Sequence, residues 1–575
     1  MVNYRVADAA PKEVKEILFE YSPLVQQLLY SRGIVTVNEA QSFLNPSYET
    51  DLHDPFLLHD MDIAVTRILD AMKKDQKVVI YSDYDCDGIP GAVILHDFFK
   101  MVGFGNFTNY IPHRHYEGFG FSTYAVGKLS EDAVELIITI DCGTTDVEAA
   151  ALAKEKGIDV IITDHHEPKQ SEKKELMFPQ AHAIVNPKIG DTYPFGGLCG
   201  AGVVFKLAQA LIAKGVQEHM FEIKPGLEKW WLDMVGIATI ADMVPLTGEN
   251  RALAYYGLQV LRKSRRPGLQ QLLRKQGVQQ RSLTEDDIGF TIGPRINAAS
   301  RMDNPEDAFC LLTTTDEGDA GARAAHLEKL NNERRGLVAA MTKEAHKRLK
   351  DIVEVPDVLV MGNPDWRPAL VGLVANKLAE EYKRPAFLWG RDGNGVIKGS
   401  CRSDGRVSVV RLMEGVTDHF DEHGGHHQSG GFSVVEGSIH TFSKALNDAY
   451  VALGEGALID EELLVDLSLE LHDIDTAFLR EQVSLSPFGV HNPKPLYEFK
   501  DIEPTSVDIF GKTKEHTKLL FETAGIAREA IAFFRLPGQF CAEPKVGQKL
   551  TLLAHLEQSF FMGRQQTRLR IIDIV

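Results

Sequence analysis

The chain has 575 residues, of which 44% are hydrophobic and 25% are charged, and its formal net charge is −19 at pH 7. This length exceeds what one hydrophobic core supports, so about three or four soluble globular domains are expected. The acidic balance argues against a surface that coats nucleic acid throughout, although it leaves room for a local basic groove.

The cysteines and the start of the chain bear on its location. The six cysteines form no Cys-x-x-Cys pair, which argues against a structural zinc site or a disulfide framework. The first residues, MVNYRVADAAPKEVKE, lack the basic and apolar regions of a signal peptide. No apolar run is long enough to span a bilayer. We therefore expect a cytoplasmic protein without a membrane partner.

A cluster of acids follows the first predicted strand. Residues 1–60 predict a helical lead-in, and residues 61–74 predict a further helix. The apolar run Val78–Tyr81 then predicts a buried strand. Acids occupy alternate positions directly after it: Asp83, Asp85 and Asp87. Carboxylates this close repel one another, and bound divalent cations, which prefer oxygen ligands, are the simplest compensation.

Two more predicted strands end in residues that bind metals. The run Glu135–Asp141 ends in an acid, and the run Asp159–His166 ends in Asp164, His165 and His166. Helices alternate with these strands, which predicts an α/β fold with a mostly parallel, doubly wound sheet. Such sheets bind ligands outside the carboxyl ends of their strands. The acids and histidines are therefore expected to meet at one sheet edge.

The rest of the chain predicts one more contribution to this edge and two further domains. An apolar helix over residues 230–242 ends in Asp242, and residues 324–352 predict a long amphipathic helix. Residues 356–437 return to an α/β pattern, whereas residues 460–575 contain short β-like runs typical of a small barrel. The predicted segments are a lead-in (1–60), a first α/β domain (61–305), a connecting helix (306–355), a second α/β domain (356–455) and a C-terminal barrel (456–575).

The mixture of carboxylate and imidazole groups predicts hydrolytic chemistry on phosphate esters. Such ligands suit Mn²⁺ or Mg²⁺, and two ions that share a carboxylate both activate water and neutralise charge on a phosphate. Taken singly, Asp141 is also consistent with a helix cap, His166 with a hydrogen-bonded support and Asp242 with a helix-end acid. The group as a whole favours metal binding.

Four stretches resemble, in order, the motifs of the DHH phosphoesterase superfamily: Asp83-x-Asp85-x-Asp87-Gly88, Asp141-Cys142-Gly143, Asp164-His165-His166 and Ala241–Leu246. Two more, Gly293–Ala299 and Gly424-Gly425-His426, narrow the resemblance to the RecJ family of single-strand-specific DNA exonucleases. The resemblance implies a DHH catalytic domain, a DHHA1 domain joined to it by the long helix, and a C-terminal nucleic-acid-binding domain like an oligonucleotide-binding (OB) fold.

The resemblance also implies roles for individual residues. Two Mn²⁺ or Mg²⁺ ions are expected on Asp85, Asp87, Asp141, His165 and Asp242, with Asp83 and Asp164 as ligands or as neighbours of ligands. His166 is expected near the scissile phosphate as a proton donor or charge stabiliser, and Arg295 is expected to contact the DNA phosphate. The expected DNA-binding residues at the 5′ end and the glycine-rich turn are Arg114, Ser400, Arg402, Gly424, Gly425 and His426.

The favoured function is a metal-dependent exonuclease that hydrolyses single-stranded DNA from the 5′ end to mononucleotides, in repair and recombination. Single-stranded DNA is the expected partner, and a helicase or a single-strand-binding protein is a further candidate. One alternative is a DHH phosphodiesterase acting on short oligonucleotides or cyclic dinucleotides. The other is a catalytically silent DHH scaffold in a replication complex.

Overall fold

The computed structural model describes residues 3–170, 176–454, 462–511, 513–523, 525–561 and 564–575. The chain forms two compact units. One comprises His53–Val244 and Tyr256–Ile459, and the other comprises Met1–Leu52, Pro245–Tyr255 and Asp460–Val575. Within the described residues, no helix is both long and apolar enough to cross a bilayer.

The first unit contains a five-stranded parallel sheet. Its strands, in spatial order, are Phe107–Tyr110, Val78–Ser82, Leu136–Ile140, Asp159–Thr163 and Ala183–Val185. The connecting and flanking helices are Met61–Lys73, Gly88–Met101, Thr123–Glu131, Val147–Glu155 and Gly200–Gln217. Because helices cover the sheet, the strands Val78–Ser82 and Leu136–Ile140 are buried at every position. The prediction of a doubly wound parallel sheet is confirmed.

The order of these strands identifies where a ligand site is expected. The chain moves from Val78–Ser82 to one neighbour, Phe107–Tyr110, and then crosses back to Leu136–Ile140 on the other side. The strand order therefore reverses between Val78–Ser82 and Leu136–Ile140. Doubly wound sheets bind ligands at the carboxyl ends of strands beside this switch point. Both strands are followed directly by predicted metal ligands.

Helices follow the parallel sheet and lead to the next domain. They are Leu232–Ala241, Gly248–Leu261, Pro267–Gln276, Glu285–Asp287, Gly293–Met302, Glu306–Thr313 and Glu317–Lys350, with a π-helical turn at Ile288–Ile292. The long helix Glu317–Lys350 begins at Asp316, whose side chain accepts a hydrogen bond from the backbone of Asp319. Its last turns pack Met341, Ala345 and Leu349 into the core of the following domain. The predicted connecting helix is therefore present.

The second sheet of this unit has five strands and mixed direction. In spatial order they are Phe420–Gly425, Ser429–Val434, Ile397–Arg402, Ala386–Arg391 and Leu359–Gly362. Only the last pair is parallel among these neighbours. The helices that accompany this second sheet are Pro368–Tyr382, Val409–Glu414 and Ile439–Leu453. A small two-stranded ribbon, Lys169–Gln170 with Leu176–Met177, belongs to the first domain.

The other unit is built on a seven-stranded sheet. In spatial order its strands are Leu467–Ser468, Leu496–Ile502, Leu550–Phe561, Arg564–Ile574, Ile526–Ala532, His516–Thr523 and Pro504–Phe510. Its helices are Lys12–Ile17, Pro23–Tyr30, Val37–Leu44 and Thr476–Val483, and the short strand Tyr4–Val6 pairs with Leu463–Val465. The N-terminal helices share a hydrophobic core with Leu485 and Phe488. The lead-in is thus part of the same unit as the C-terminal domain.

Candidate metal centre and phosphate-binding cleft

Hydrogen bonds to acidic side chains hold the loop that follows the strand Val78–Ser82. Asp85 Oδ1 accepts hydrogen bonds from the backbone of Asp87 at 2.8 Å and of Gly88 at 3.2 Å. Asp87 in turn accepts from the first two amides of the helix Gly200–Gln217, at 2.6 and 2.7 Å. A helix N-terminus stabilises a nearby anion through its free N–H groups and its dipole. The loop therefore presents its carboxylates at the sheet edge in a fixed arrangement.

Gly200 is required by how closely the helix approaches the next strand end. A Cβ atom at this position would lie 2.6 Å from Cβ of Asp141 and 2.8 Å from its Oδ1. Asp141 itself adopts a left-handed backbone conformation, with φ of 61°, which is uncommon for a residue other than glycine. Such strain is typical of functional sites. The close packing places the Asp141 carboxylate inside the acid cluster.

The metal-binding side chains from all four segments meet at this edge. His165 Nε2 lies 3.2 Å from Asp141 Oδ1, 3.7 Å from Asp87 Oδ2 and 3.8 Å from Asp242 Oδ2. One group of donors, within 4.8 Å of one another, is Asp87, His165 and Asp242, and a second is Asp83, Asp85 and Asp141. Asp141 also groups with His165 and His166. Asp141 is therefore placed where a carboxylate could serve both donor groups.

The electrostatics of this cluster fit divalent cations. Asp83 Oδ1 and Asp141 Oδ1 are buried and have no hydrogen-bond donor among the described residues. Burial and the neighbouring acids raise the pKa of Asp87 to about 7 and that of Asp242 to about 9. The pKa values of Asp83 and Asp141 are raised for the same reasons. A cation among these oxygens supplies the compensation that the protein itself does not provide.

Asp164 has a different surrounding from the other acids. Its Oδ1 accepts hydrogen bonds from the backbone of His165 and His166 and lies 2.7 Å from Nδ1 of the His166 ring. Its Oδ2 accepts from the backbone of Thr144 at 2.9 Å. Although burial opposes the charge, these partners hold the pKa of Asp164 below its usual value. Asp164 is therefore arranged to orient His166 rather than to present a free oxygen.

Asp164 keeps the His166 ring protonated, so that His166 can donate a proton. Burial lowers its pKa, but the hydrogen bond and charge of Asp164 outweigh burial and raise it to about 9. By contrast, burial and the His166 charge lower the pKa of His165 to about 3, which suits a neutral metal ligand. The two adjacent histidines are thus differentiated by their surroundings, which the Asp-His-His motif alone does not reveal.

A cleft of about 1080 Å³ opens beside the acids and is lined by both α/β domains of this unit. Tyr84 lies in its wall, buried between Asp83 and Asp85, and the Arg114 guanidinium stacks over the Tyr84 ring at 4.9 Å. Phe119 contacts the rings of Tyr84 and His166 edge-on. Ser400 lines the cleft, and Arg402 on the same strand lies with Ser400 beside Gly372. Aromatic and cationic groups in one groove are typical of single-strand binding.

Arg114, Arg301 and Arg402 have no carboxylate partner among the described residues; Arg114 stacks on Tyr84, and the other two donate to backbone carbonyls. Burial, reinforced by Arg114, Arg334 and Arg402, lowers the pKa of Arg301 to about 9. Burial and Arg114 also lower the pKa of Arg402. Clustered guanidinium groups without acids form a site for a phosphate. Arg301 was not among the predicted site residues, although it lies only two residues after the Gly293–Ala299 stretch.

Arg295 makes its contacts apart from these arginines, and its expected contact with the DNA phosphate stays a prediction. Arg295 is buried, its Nε lies 2.6 Å from Glu328 Oε2, and its Nη1 donates to the carbonyl of Thr291 at 2.8 Å. Its remaining nitrogen donates to the Gln276 side chain. All three nitrogens are therefore used inside the protein, and Arg295 fastens its helix to the long helix. Nearby Asn297 supports the acid loop, since its Oδ1 accepts from the backbone of Cys86 at 2.9 Å.

The glycine-rich turn of the second sheet lies opposite the Asp-His-His segment. The His426 ring stacks on the His166 ring with centroids 6.2 Å apart and planes 16° apart. Gly424 lines the cleft, and Gly425 has φ of 150°, which favours glycine. The backbone amide of His426 closes the turn by donating to Ser429. The turn thus offers the His426 side chain, rather than this amide, to a ligand.

Comparison with known protein families finds three matches along the chain. Residues 77–239 match the DHH family, N-terminal domain. Residues 355–452 match the DHHA1 domain, and residues 465–573 match the RecJ OB domain. The three matches follow the order of the parallel sheet, the mixed sheet and the seven-stranded sheet. The predicted OB-like character of the C-terminal domain is confirmed.

Comparison with characterised sequences finds similar proteins in several bacteria. The chain is 34% identical to the single-stranded-DNA-specific exonuclease RecJ of Bacillus subtilis over 559 residues, covering 96% of this chain and 68% of that protein. It is 30% identical to the protein of the same name from Haemophilus influenzae, with 89% of each chain covered.

Solved structures show the same fold. The crystal structure of RecJ in complex with Mn²⁺ from Thermus thermophilus is similar over 100% of this chain and 79% of that chain, with a TM-score of 0.81 and 26% identity. A structure of exonuclease RecJ bound to manganese is similar over 70% of this chain and 98% of that chain, with a TM-score of 0.59 and 32% identity.

Proposed function

The chain belongs to the family of the RecJ single-stranded-DNA-specific exonucleases, and we propose that it hydrolyses single-stranded DNA from the 5′ end, releasing mononucleotides. The observation that carries this proposal is the Asp83-Tyr84-Asp85 segment. Its two acids belong to the metal centre, and its tyrosine supports Arg114 in the arginine cluster. A 5′ phosphate held by the arginines therefore presents the first internucleotide phosphate to the acids.

Each part of the site has a role in this reaction. The groups that would hold the metal ions are Asp83, Asp85, Asp87, Asp141, His165 and Asp242. When bound, Mn²⁺ or Mg²⁺ ions supply an activated water and neutralise charge on the phosphate. Asp164 holds the His166 ring, and His166 donates a proton to the departing 3′ oxygen or a charged hydrogen bond to the phosphate. Arg114, Arg301, Ser400 and Arg402 bind the terminal phosphate, and the exposed ring of Phe119 offers a surface to the first base.

The direct test is nuclease activity with Mn²⁺ on 5′-phosphorylated single strands. A strand labelled at its 5′ end is expected to release labelled mononucleotide at once, whereas the same strand labelled at its 3′ end is shortened gradually. A blunt duplex of the same sequence, which offers no single-stranded 5′ end, is the matched substrate control. Immediate loss of the 3′ label, or equal rates on the duplex, would contradict the proposal.

The cellular setting is also a proposal. An enzyme restricted to single strands needs a supply of unwound DNA, so we infer action beside a helicase or a single-strand-binding protein in cytoplasmic DNA repair and recombination. The complete set of acids argues against a catalytically silent scaffold. The division of the chain at residues 60, 305, 355 and 455 is likewise retained as a proposal for where its segments begin and end.

A further inference from the structure

One cation beside the metal centre has no role in the site described above. Lys188 follows the strand Ala183–Val185, and its Nζ lies 3.1 Å from Glu167 Oε1. The Lys188 side chain is 30% exposed and that of Glu167 is 67% exposed. An ion pair this open to solvent contributes little stability. The Lys188 ammonium can therefore exchange Glu167 for another anion at small cost.

The backbone of Lys188 is fixed relative to the catalytic histidine. Asn186 is fully buried, and its Nδ2 donates to the carbonyl of His166 at 2.9 Å and to Thr144 Oγ1 at 3.1 Å. Its Oδ1 accepts from the backbone of Lys188 at 2.9 Å. One buried side chain thus ties the ends of three neighbouring strands together. Lys188 is held in place at the edge of the centre rather than carried by a free loop.

The position of this charge complements that of the arginines. The arginine cluster lies on the side of the centre where Asp83 and Tyr84 stand, and Arg114 acts on both. Lys188 is instead joined through Asn186 to the carbonyl of His166, whose Nδ1 lies 3.9 Å from Asp141 Oδ1. Cations therefore stand beside two different segments of the centre, Arg114 at Asp83-Tyr84-Asp85 and Lys188 at Asp164-His165-His166. A strand whose 5′ end occupies the arginine side must continue past the acids on the other side.

We propose that Lys188 binds the DNA phosphate that follows the scissile phosphate on its 3′ side. This inference rests on the proposed function and extends it to the departing strand. The ammonium group is a compact point charge that contacts a phosphate without reading the base, as a nuclease without sequence preference requires. In the free protein the Lys188 ammonium pairs with Glu167, and when the strand is bound the phosphate replaces Glu167 in this pair.

Very short substrates isolate the contact between Lys188 and the phosphate that follows the scissile phosphate. A 5′-phosphorylated dinucleotide has a scissile phosphate but none beyond it, whereas the trinucleotide has both. We expect Lys188→Gln to lower the ratio of kcat/KM for the trinucleotide to kcat/KM for the dinucleotide by about tenfold, the size of one charge-assisted contact. Lys188→Arg is expected to restore most of the ratio, and Glu167→Gln to raise it, because the competing carboxylate is removed.

A lysine elsewhere in the same unit provides the control. Lys73 forms a comparable surface pair with Glu218 at 2.7 Å, and Lys73→Gln is expected to leave the ratio at the wild-type value. A ratio in Lys188→Gln equal to that of the wild type would overturn the proposal. This includes an equal loss of kcat/KM on both substrates, since Lys188 would then act on the scissile phosphate.

A binding measurement keeps this inference separate from catalysis. Anisotropy of a 3′-labelled, 5′-phosphorylated single strand in EDTA gives the dependence of affinity on salt. We expect Lys188→Gln to reduce the slope of log K against log salt by about 0.7, one phosphate contact on a single strand. Wild-type protein without activity on either short substrate would refute the proposed function. A slope unchanged by Lys188→Gln would refute the role of Lys188.

Discussion

The carboxylate of Asp141 belongs to one donor group with Asp83 and Asp85 and to another with His165 and His166, and its backbone adopts an uncommon conformation there. Its unpartnered Oδ1 and raised pKa follow from burial among other acids. The same arrangement that makes the free centre unfavourable makes it a strong site for divalent ions. Function at this residue thus opposes stability until metal is bound.

Replacing Asp141 should therefore separate activity from stability. We expect Asp141→Asn to lower Mn²⁺-dependent hydrolysis about a thousandfold or more, as for other residues that act as a unit. In EDTA its melting temperature should equal or exceed that of the wild type, because one buried acid has been removed. Calorimetry with and without Mn²⁺ checks this, with the surface variant Asp70→Asn as the control. A melting temperature in EDTA clearly below that of the wild type would contradict it.

The raised pKa values of Asp87 and Asp242 predict how pH affects stability. Without metal, the folded protein binds more protons at these groups than the unfolded protein, between the usual pKa of an aspartate and about 7 to 9. Stability in EDTA should consequently fall as pH rises through this window. The increase in melting temperature caused by Mn²⁺ should grow over the same window. A Mn²⁺ effect independent of pH would show that these groups do not bind the metal.

The two arginines of one helical motif are expected to behave in opposite ways. Arg301→Gln should lower kcat/KM on 5′-phosphorylated strands by about a hundredfold without lowering the melting temperature, because it relieves repulsion among guanidinium groups. Arg295→Gln should destabilise the protein by about 3–5 kcal/mol, because Glu328 loses its buried partner. Melting curves and steady-state rates of the pair check this. Equal effects of the two substitutions on stability would contradict the assignment.

At the scale of elements, the helix Gly200–Gln217 determines whether the centre forms. Its first amides bind Asp87, and its first residue leaves no room for a side chain beside Asp141. The strand ends bring the acids to one edge, but the helix start determines their separation. The prediction from strand patterns included the acids and omitted this helix.

Adding one methyl group at the helix start should therefore impair metal binding. Gly200→Ala is expected to weaken Mn²⁺ affinity about 10–100-fold, in the range found when groups that support metal ligands are changed. Gly127→Ala is the matched control, since Gly127 lies in the helix Thr123–Glu131 with open space around its Cβ position. It should leave Mn²⁺ affinity unchanged and add about 0.5–1 kcal/mol of stability. Titration calorimetry measures the Mn²⁺ affinity of both variants. Equal affinities in Gly200→Ala and Gly127→Ala would contradict the packing argument.

At the scale of the whole molecule, the chain closes one of its units with segments from both ends. The Arg251 side chain is buried and donates to carbonyls of Phe43, Leu485 and Ser486. Leu28 and Leu29 share a core with Leu485 and Phe488. The N-terminal helices therefore belong to the folding of the C-terminal domain.

Substitution of Arg251 should destabilise that unit and leave the metal centre intact. We expect Arg251→Met to cost about 3 kcal/mol or more, because several buried carbonyls lose their donor. Mn²⁺ affinity should not change, because every proposed ligand lies in the other unit. Arg5→Met, which removes an exposed pair with Glu462, is the control. A parallel loss of Mn²⁺ affinity would contradict the independence of the two units.

The sequence by itself determined the fold class and most of the centre. Buried runs such as Val78–Ser82 end in acids, and the carboxyl ends of parallel strands share one edge, so their meeting followed from local pattern. The resemblance supplied the order of the domains and the acids that complete the metal set. Arg114, Ser400 and Arg402 were likewise predicted as one group.

Only the tertiary structure decided which groups are free to act. Arg295 and Arg301 stand in the same helix, Gly293–Met302, yet one pairs with Glu328 and the other has no acid partner in the described part of the chain, because such partners come from distant segments. The pKa of His165 is lowered, mainly by burial, whereas that of His166 is raised, because its hydrogen bond to Asp164 and the charge of Asp164 outweigh burial. The availability of a charged group depends on burial and on partners far away in the chain, and a local pattern does not contain that information.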